Sequence, residues 1–228
     1  MEIKEIFKKN NIALSEEQEE KFLKYYDFLV SENQKYNLTA ITSREDVFYK
    51  HFLDSVLPES EITKNARIID IGSGAGFPAV PLKIVRPDLN FTLVDSLNKR
   101  VNFLNQLFSL LELSNIRAIH ARAEDFIKGN RESYDFAVAR AVAPLNALLE
   151  YMVPYLKIGG RCLIYKSQKM EEEIKEAKKA MEILSVRIVK VLEYELGDAT
   201  RKILIVEKLE KTNEKYPRGK NLPKLKPL

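Results

Sequence analysis

The strongest constraint on the fold is a glycine-rich loop that directly follows an apolar, β-branched segment. The segment is Ile68-Ile69-Asp70-Ile71, and the loop is Gly72-Ser73-Gly74-Ala75-Gly76-Phe77, which holds three of the eight glycines in the 228-residue chain. A strand that ends in such a loop leaves backbone N–H groups open, and a ligand can approach the main chain because no Cβ is in the way. The pattern therefore predicts a buried strand with a nucleotide-like ligand at its end.

From Arg67 onward the sequence alternates between strand-like and helix-like segments, which is typical of a parallel α/β sheet. The ending breaks this alternation, because two β-branched runs, 186–195 and 202–208, are separated only by the hairpin-length segment 196–200. The predicted fold class is therefore α/β, with a seven-stranded, mostly parallel sheet whose last strand is antiparallel. The first five strands are predicted at 67–71, 90–95, 116–120, 134–139 and 161–166, and the helices that follow them at 77–85, 97–111, 123–128, 144–156 and 170–184.

The chain divides into three regions. Ser15-Glu16-Glu17-Gln18 has the form of a capping box before an amphipathic helix, and a second helix is predicted over 45–57. We therefore predict an N-terminal helical cap over 1–65, a ligand-binding α/β domain over 66–210 and a basic, proline-containing tail over 211–228. The tail has no apolar face to bury, so we expect it to be extended or mobile.

Charge and cysteine content narrow the possible functions. The formal net charge is +4, and the tail carries six basic residues against one acidic residue, so the rest of the chain is about neutral. Such a tail suggests a polyanionic partner. With a single cysteine, Cys162, and two histidines, the sequence predicts no metal site. The charged N-terminus and the lack of a long uncharged apolar segment predict a cytoplasmic protein that does not cross a membrane.

Residues at successive strand ends predict what the loop binds. The carboxyl ends of parallel strands meet at one crevice, which gathers the loop, Asp95, Ala123-Glu124 and Arg140. Asp95 can accept hydrogen bonds from both ribose hydroxyls of an adenosine, and Glu124 suits an exocyclic amine. The loop departs from the dinucleotide fingerprint, because Phe77 replaces its third glycine and Asp70 precedes it. These departures and the terminal hairpin favour S-adenosyl-L-methionine, while an NAD-dependent oxidoreductase remains an alternative.

Seven short blocks form a combination that is more specific than any single motif. Four lie around the predicted crevice: DIGSGAGFP at 70–78, VDSLNKR at 94–100, RAE at 122–124 and ARAV at 139–142. Three lie outside it: KYNLTAI at 35–41, HFLDS at 51–55 and KYPR at 215–218. Together they resemble the signature blocks of the bacterial 16S ribosomal RNA guanine-N7 methyltransferases, also called glucose-inhibited division protein B, over nearly the full chain.

The resemblance implies a Rossmann-like class I methyltransferase that uses S-adenosyl-L-methionine. The implied reaction places a methyl group on N7 of a guanine in the 530 loop of 16S ribosomal RNA, and the implied partner is the small ribosomal subunit. Guanine N7 carries a free lone pair, so this chemistry needs positioning rather than a general base. Carried over by motif, the cofactor contacts fall on Gly72, Phe77, Ala123, Glu124 and Arg140, to which the reasoning from the loop and strand ends adds Gly74 and Asp95.

Several side chains have two interpretations at this stage. Arg140 ends an apolar strand, where it either positions the reactants or forms a salt bridge with a neighbouring acid. Phe77 either stacks on adenine or packs against its helix. His51 and Asp54 are three residues apart, and we expect them to fix their helix rather than to catalyse. Cys162 is expected to be a small core residue.

Basic residues near the crevice and in the tail are candidate RNA contacts. Lys99 and Arg100 occupy the first turn of a helix, which is electrostatically poor for cations, although a solvated helix face is an equal alternative. Lys166 and Arg218 are further candidates. We expect removal of residues 211–228 to weaken RNA binding and to leave cofactor binding intact. The chain is predicted to be a monomer, and the alternative to an enzyme is a non-catalytic RNA-binding or division-associated module with a nucleotide-type site.

Overall fold

The computed structural model describes residues 2–140, 142–166, 170–196 and 199–228, which form one seven-stranded sheet with helices packed around it. The strands are β1 (Arg67–Ile71), β2 (Asn90–Asp95), β3 (Ile116–His120), β4 (Tyr134–Arg140), β5 (Leu156–Lys166), β6 (Val186–Leu196) and β7 (Ala199–Lys208). The helices are α1 (Ile3–Lys9), α2 (Glu16–Tyr36), α3 (Arg44–Val47), α4 (Asp54–Val56), α5 (Ala79–Val85), α6 (Asn98–Leu110), α7 (Ala123–Phe126), α8 (Leu145–Met152), α9 (Met170–Glu176), α10 (Lys178–Ile183) and α11 (Leu222–Leu225).

The strand order across the sheet is β3-β2-β1-β4-β5-β7-β6. Strands β1 to β5 run parallel to one another, and β7 is antiparallel to both β5 and β6. The predicted fold class is therefore confirmed. The strand order reverses between β1 and β4, which places the ligand crevice of such a sheet at their carboxyl ends. Gly197 and Asp198 of the predicted hairpin turn, and Ala141 of the fourth-strand motif, lie outside the described residues.

Three predicted helices differ from the structure, and one of them, predicted over 170–184, is divided into α9 and α10. The other two differ for local reasons. Helix α8 ends at Met152, because a 3₁₀ turn that contains Pro154 follows it, and β5 begins at Leu156 where helix was expected. The helix predicted over 45–57 contains a π-helical turn at Phe48–Leu53 between α3 and α4. Such turns reorient side chains within a helix and are frequent at functional sites.

The N-terminal helices pack directly on the sheet and its glycine loop. The predicted capping box of α2 is present, and the same Gln18 side chain donates to the carbonyl groups of Ile84 and Val85 at 3.0 and 3.2 Å. The buried Tyr25 hydroxyl of α2 donates to the carbonyl group of Ala75 in the loop at 2.5 Å. Helix α2 therefore supports the loop as well as covering the sheet.

The C-terminal tail is not extended, contrary to the expectation from its composition. Glu150 in α8 is fully buried, and its carboxylate accepts hydrogen bonds from the Arg218 backbone amide at 2.8 Å and from the Arg218 guanidinium at 2.7 Å. Arg131 donates to the carbonyl group of the buried Tyr216. The tail folds because polar groups on the body bind it and because Tyr216 packs into a buried apolar cluster, against which Leu228 also lies.

The described residues also limit the other kinds of site. None of their helices combines the length and the apolar character needed to cross a bilayer. They hold no group of three or more His, Cys, Asp or Glu side chains that could bind a metal ion. Cys162 is a buried free thiol in β5, and burial raises its pKa. Its interpretation as a core residue is confirmed.

Candidate cofactor and substrate site

Two cavities open at the carboxyl edge of the sheet, and they share Gly72 and Arg100 as common wall residues. The first cavity has a volume of about 440 Å³, and the second has a volume of about 510 Å³. Residues that line the first cavity include Gly72, Asp95, Arg100, Ala123, Glu124, Val142, Tyr151, Asn221 and Lys224. Residues that line the second include Thr39, Lys50, His51, Asp54, Gly72, Gly74, Phe77, Arg100, Arg140, Lys166, Arg201 and Lys202.

The glycine loop separates the two cavities, and its three glycines have positive φ angles of 73°, 58° and 99°. The amide of Gly72 donates to the Val94 carbonyl group at 2.8 Å, and the amide of Gly74 donates to Asp95 Oδ2 at 2.9 Å. The Gly76 amide is bonded to the Ser73 carbonyl group. The amides of all three glycines are therefore bonded within the protein, so any open N–H groups of the loop are not those of the glycines, which serve by their backbone conformation and missing side chains.

We predict that Gly72→Ala weakens cofactor binding at least tenfold, which calorimetry measures directly. A Cβ at Gly72 would lie 2.9 Å from Val142 Cγ2, so it would push a side chain that lines the first cavity. The left-handed conformation adds about 1 kcal/mol of strain for any L-residue. Gly129→Ala is the matched control, because φ there is +77° and a Cβ meets nothing within 4 Å. Equal cofactor affinity in the two variants would contradict the prediction.

The first cavity carries two buried carboxylates at the ends of neighbouring elements. Asp95 ends β2, and its Oδ1 accepts the Leu97 amide while its Oδ2 accepts the Gly74 amide, each at 2.9 Å. Asp95 thus anchors the loop and also lines the cavity with its remaining lone pairs. Glu124 is the second residue of α7, and its carboxylate accepts a hydrogen bond from the backbone amide of Asn221 at 3.0 Å. The sequence predicted Asp95 and Glu124 at this crevice, but it did not predict that the tail would reach it.

The tail forms one wall of the first cavity. Besides its bond to Glu124, Asn221 accepts a hydrogen bond from the Tyr151 hydroxyl through Oδ1 at 3.0 Å. Lys224 of α11 lines the same cavity. No local sequence signal indicates these contacts, because Tyr151 and Asn221 are 70 residues apart. The segment that composition assigned to RNA is therefore part of the pocket around the predicted cofactor.

Asp70 of the motif lies beneath the loop rather than in either cavity. It is fully buried, and neither of its carboxyl oxygens has a hydrogen-bond partner among the described residues. Burial raises its pKa well above the usual range for aspartate. Burial therefore disfavours the charged form of this carboxyl group beneath the glycine loop.

Arg140 is the central cation of the second cavity. Its guanidinium Nη1 lies 3.1 Å from Asp54 Oδ2 and also donates to the Lys50 carbonyl group at 3.2 Å. Its Nη2 lies 3.1 Å from His51 Nδ1, and its Cζ lies 4.7 Å from the centre of the Phe77 ring. The salt bridge predicted as one interpretation of Arg140 is confirmed. The cavity also exposes one side of the same residue to a ligand.

Two neighbouring ionisable groups respond to Arg140 and to burial. Burial, reinforced by the positive charge of Arg140, lowers the pKa of His51 to about 4, so this imidazole is neutral at pH 7. Burial raises the pKa of Asp54, and Arg140 acts in the opposite direction.

The Phe77 ring stacks on His51 at 4.5 Å and on Tyr25 at 5.5 Å between ring centres. Packing is therefore the interpretation of Phe77 that the structure supports, and its ring does not line the first cavity.

The basic residues predicted to contact RNA have partners within the protein. Lys99 donates to the Tyr36 carbonyl group at 3.0 Å, and Arg100 lies 3.4 Å from Asp95. Lys166 binds Glu173 at 2.6 Å in the wall of the second cavity. Arg218 is engaged by the buried Glu150, as described above, so its Nε and Nη2 donors are used to fix the tail.

Three cations of the second cavity were not predicted from the sequence, namely Lys50, Arg201 and Lys202, and Arg201 lies at the start of β7. It lines the second cavity, and its buried Nε has no hydrogen-bond partner among the described residues. Antiparallel pairing of β7 with β5 brings it there, next to the Lys166–Lys202 pair of strand partners. The sequence shows only that Arg201 follows a predicted hairpin turn. It does not show that β7 pairs with β5, and this long-range pairing is what brings Arg201 to the cavity.

Comparisons with known proteins agree with the motif resemblance. A family model described as GidB, rRNA small subunit methyltransferase G, matches residues 18–204. A ribosomal RNA small subunit methyltransferase G of Streptococcus pneumoniae is 45% identical over 224 residues, which cover 96% of this chain and 94% of that protein. The Staphylococcus aureus protein of the same name is 46% identical over 229 residues, with 98% and 96% covered.

Solved structures support the fold. The structure of a SAM-dependent methyltransferase from Aquifex aeolicus superimposes with a TM-score of 0.54 at 18% identity, and the match covers 78% of this chain and 98% of that one. The predicted Rossmann-like methyltransferase fold is therefore confirmed. The sequence matches cover nearly the whole length of both partners, and the motif-based resemblance is confirmed as well. The chain belongs to the GidB family of rRNA small subunit methyltransferases.

Proposed function

We propose that this protein transfers a methyl group from S-adenosyl-L-methionine in the first cavity to N7 of a guanine in the second. The proposed target is the 530 loop of 16S ribosomal RNA in the small subunit, and the product is 7-methylguanosine. The observation that carries the proposal is that the two cavities meet at Gly72 and Arg100, on either side of one glycine loop. Methyl transfer requires a donor site and an acceptor site that adjoin in this way.

The first cavity suits the cofactor because its polar groups match an adenosine and its loop leaves room. Asp95 retains lone pairs for ribose hydroxyl groups, and Glu124 lies beside Ala123 where an exocyclic amine would be accepted. Gly72 provides close approach to the main chain, since a Cβ there would collide with Val142. S-adenosyl-L-methionine, when bound, supplies an electrophilic methyl group.

The second cavity suits a reaction that needs alignment rather than proton removal. Guanine N7 attacks through its own lone pair, so no residue has to act as a base. His51 is neutral, and Asp54 is held by Arg140, which leaves both to shape the cavity. Methylation at C5 of a pyrimidine would need a thiolate nucleophile, whereas Cys162 is buried in β5 with a raised pKa.

The rim of the second cavity carries the charge that an RNA backbone would bind. Lys50, Lys166, Arg201 and Lys202 all line it, and Arg201 Nε has no hydrogen-bond partner in the part of the chain that the structure describes. We propose that these side chains contact phosphates, and that Lys99 and Arg100 extend the contact along the same edge. We propose that the protein acts as a monomer in the cytoplasm, and the ribosomal RNA substrate supports this location.

We predict that Arg201→Gln weakens binding of 16S ribosomal RNA and lowers the slope of log K against log salt by about 0.7, the value for one lost single-strand phosphate contact. Filter binding over a salt series measures both quantities. Arg187→Gln is the matched control, because Arg187 pairs with Glu207 near the opposite end of the β6–β7 ladder. A variant that keeps the wild-type slope would remove Arg201 from the RNA contact.

Two measurements test the proposed function. Nucleoside mass spectrometry of small-subunit RNA from a deletion strain should show the loss of one 7-methylguanosine, restored by the intact gene. Calorimetry should show binding of S-adenosyl-L-methionine and of S-adenosyl-L-homocysteine, the product that remains after methyl transfer. It should show no binding of NADH. Unchanged 7-methylguanosine in the deletion strain would favour the non-catalytic RNA-binding alternative instead.

A further inference from the structure

Thr39 is held rigidly at the edge of the second cavity by the side chain of Asn33. Asn33 Oδ1 accepts the backbone amides of Leu38 and Thr39 at 2.7 and 2.9 Å, and its Nδ2 donates to the Thr39 carbonyl group at 3.0 Å. Thr39 is half-buried and lines the cavity next to His51. Its hydroxyl group therefore has a fixed starting position and access to a ligand.

The proton of His51 is fixed by Arg140. His51 Nδ1 lies 3.1 Å from Arg140 Nη2 and 3.2 Å from the Lys50 carbonyl oxygen, and that carbonyl group already accepts from Arg140 Nη1 at 3.2 Å. A guanidinium group can only donate hydrogen bonds, so a hydrogen on Nδ1 would face the hydrogen of Nη2, and we therefore assign Nδ1 as the acceptor. The single hydrogen of the neutral imidazole then lies on Nε2, which is 2.8 Å from Thr39 Oγ1. His51 consequently donates to Thr39, and the direction of this bond is set by a residue that cannot change its protonation state.

Both acceptor positions of the Thr39 hydroxyl are occupied. One accepts from His51 Nε2, and the other accepts from the backbone amide of Ile41 at 3.0 Å. A hydroxyl oxygen has two lone pairs and one hydrogen, so the hydrogen is the only bonding capacity left. It cannot point at His51 or Ile41, and the residue lines the second cavity. Thr39 thus presents a donor to that cavity.

We propose that the Thr39 hydroxyl donates a hydrogen bond to O6 of the target guanine and thereby selects guanine over adenine. The inference rests on the proposed methylation at guanine N7. Guanine presents N7 and O6 as adjacent acceptors on one edge, whereas adenine presents an amino group in place of O6. N7 must stay free to attack the methyl group, so O6 is the acceptor that remains on that edge. An oxygen with both lone pairs used would face the amino group of adenine without an acceptor to offer.

The hydrogen bonds from Arg140 to His51 and from His51 to Thr39 determine that the Thr39 hydroxyl acts as a donor toward the cavity. If the hydrogen of His51 were on Nδ1 instead, the Thr39 hydroxyl would donate to Nε2 and would present a lone pair to the cavity, which suits adenine. Arg140 disfavours that tautomer, because its Nη2 donates to Nδ1. Arg140 and His51 are therefore positioning residues in this recognition, and Thr39 is the group that would touch the base.

The test compares Thr39→Val and Thr39→Ser with the wild-type enzyme on two versions of one RNA. The first carries guanine at the target position, and the second carries 2-aminopurine, which retains N7 and lacks O6. We expect Thr39→Val to lower kcat/KM on the guanine RNA about 10- to 100-fold, and we expect Thr39→Ser to stay within about threefold of the wild type. On the 2-aminopurine RNA the wild type and Thr39→Val should have the same kcat/KM. Thr42→Val is the matched control, because Thr42 is exposed and does not line the cavity.

The comparison between bases separates recognition from folding. A loss that is equal on both RNAs would show that Thr39 only supports His51 and the loop, and it would overturn the proposal. Wild-type activity of Thr39→Val on the guanine RNA would overturn it as well. Absence of methylation of the guanine RNA by the wild-type enzyme would instead count against the proposed function, so the two failures are distinct. Unfolding temperature and cofactor affinity of each variant confirm that the compared proteins are folded and loaded.

Discussion

Replacing Arg140 with alanine should lower kcat/KM for methyl transfer at least tenfold and should also destabilise the protein. The variant loses the guanidinium group that pairs with Asp54, hydrogen-bonds to His51 and lies over the Phe77 ring in the second cavity. It also leaves a buried carboxyl without its partner, which costs about 3 kcal/mol in comparable cases. Single-turnover kinetics measure the first effect, and denaturant unfolding measures the second.

The double variant Arg140→Ala with Asp54→Asn separates these two effects. It removes the unpaired acid, so we expect most of the lost stability to return while the methyl-transfer rate stays low. Arg140→Lys is a further comparison, because lysine keeps the charge but cannot reach Asp54, His51 and the Lys50 carbonyl group together. Full turnover by Arg140→Ala would remove Arg140 from the site.

Deleting residues 219–228 should raise the dissociation constant for S-adenosyl-L-methionine at least tenfold. The deletion removes the Asn221 amide from Glu124 and the Asn221 side chain from Tyr151, and it opens the wall that Lys224 completes. It retains Arg218, so the bond to the buried Glu150 stays in place. Calorimetry measures the affinity, and circular dichroism checks that the sheet is intact. This expectation reverses the one drawn from composition, which assigned the tail to RNA alone.

A substitution refines the truncation. Asn221→Gly keeps the left-handed backbone and the amide bond to Glu124 but loses the bond to Tyr151, so its affinity should fall between the wild type and the deletion. Glu214→Ala, at an exposed position of the same tail, is the control. If the shortened chain bound the cofactor as tightly as the full chain, the tail would have no part in the first cavity.

Features that depend on neighbouring residues could be predicted from the sequence. The strands β1, β2 and β3 match their predicted bounds, because each is a short β-branched run between clear turn signals. The capping box of α2 is equally local, and it formed as expected. Asp95 and Glu124 could be assigned to the crevice because the topology of a parallel sheet brings strand ends together without further information.

Features that depend on distant pairs could not be predicted. Asp54 binds Arg140 across 86 residues, and Glu150 binds Arg218 across 68 residues. Neither separation corresponds to a helical or strand periodicity, so no local pattern in the sequence indicates the pair. Each pair changes the role of a predicted site residue, Arg140 in the first and Arg218 in the second. The tail is the clearest case, since its low apolar content indicated an extended chain and its partners lie on α8.

The contact of Tyr25 with the glycine loop, together with Thr39, His51 and Asp54 in the second cavity, has a consequence for the modularity of this enzyme. The α/β region and the tail together line the first cavity, but they lack one wall of the second cavity. A recombinant fragment that begins at residue 66 would therefore keep the residues that line the first cavity, but it would lose the Tyr25 contact that supports the glycine loop and a wall of the second cavity. Exchanging the N-terminal helices between relatives would not change substrate specificity alone, because these helices also support the glycine loop beside the proposed cofactor site.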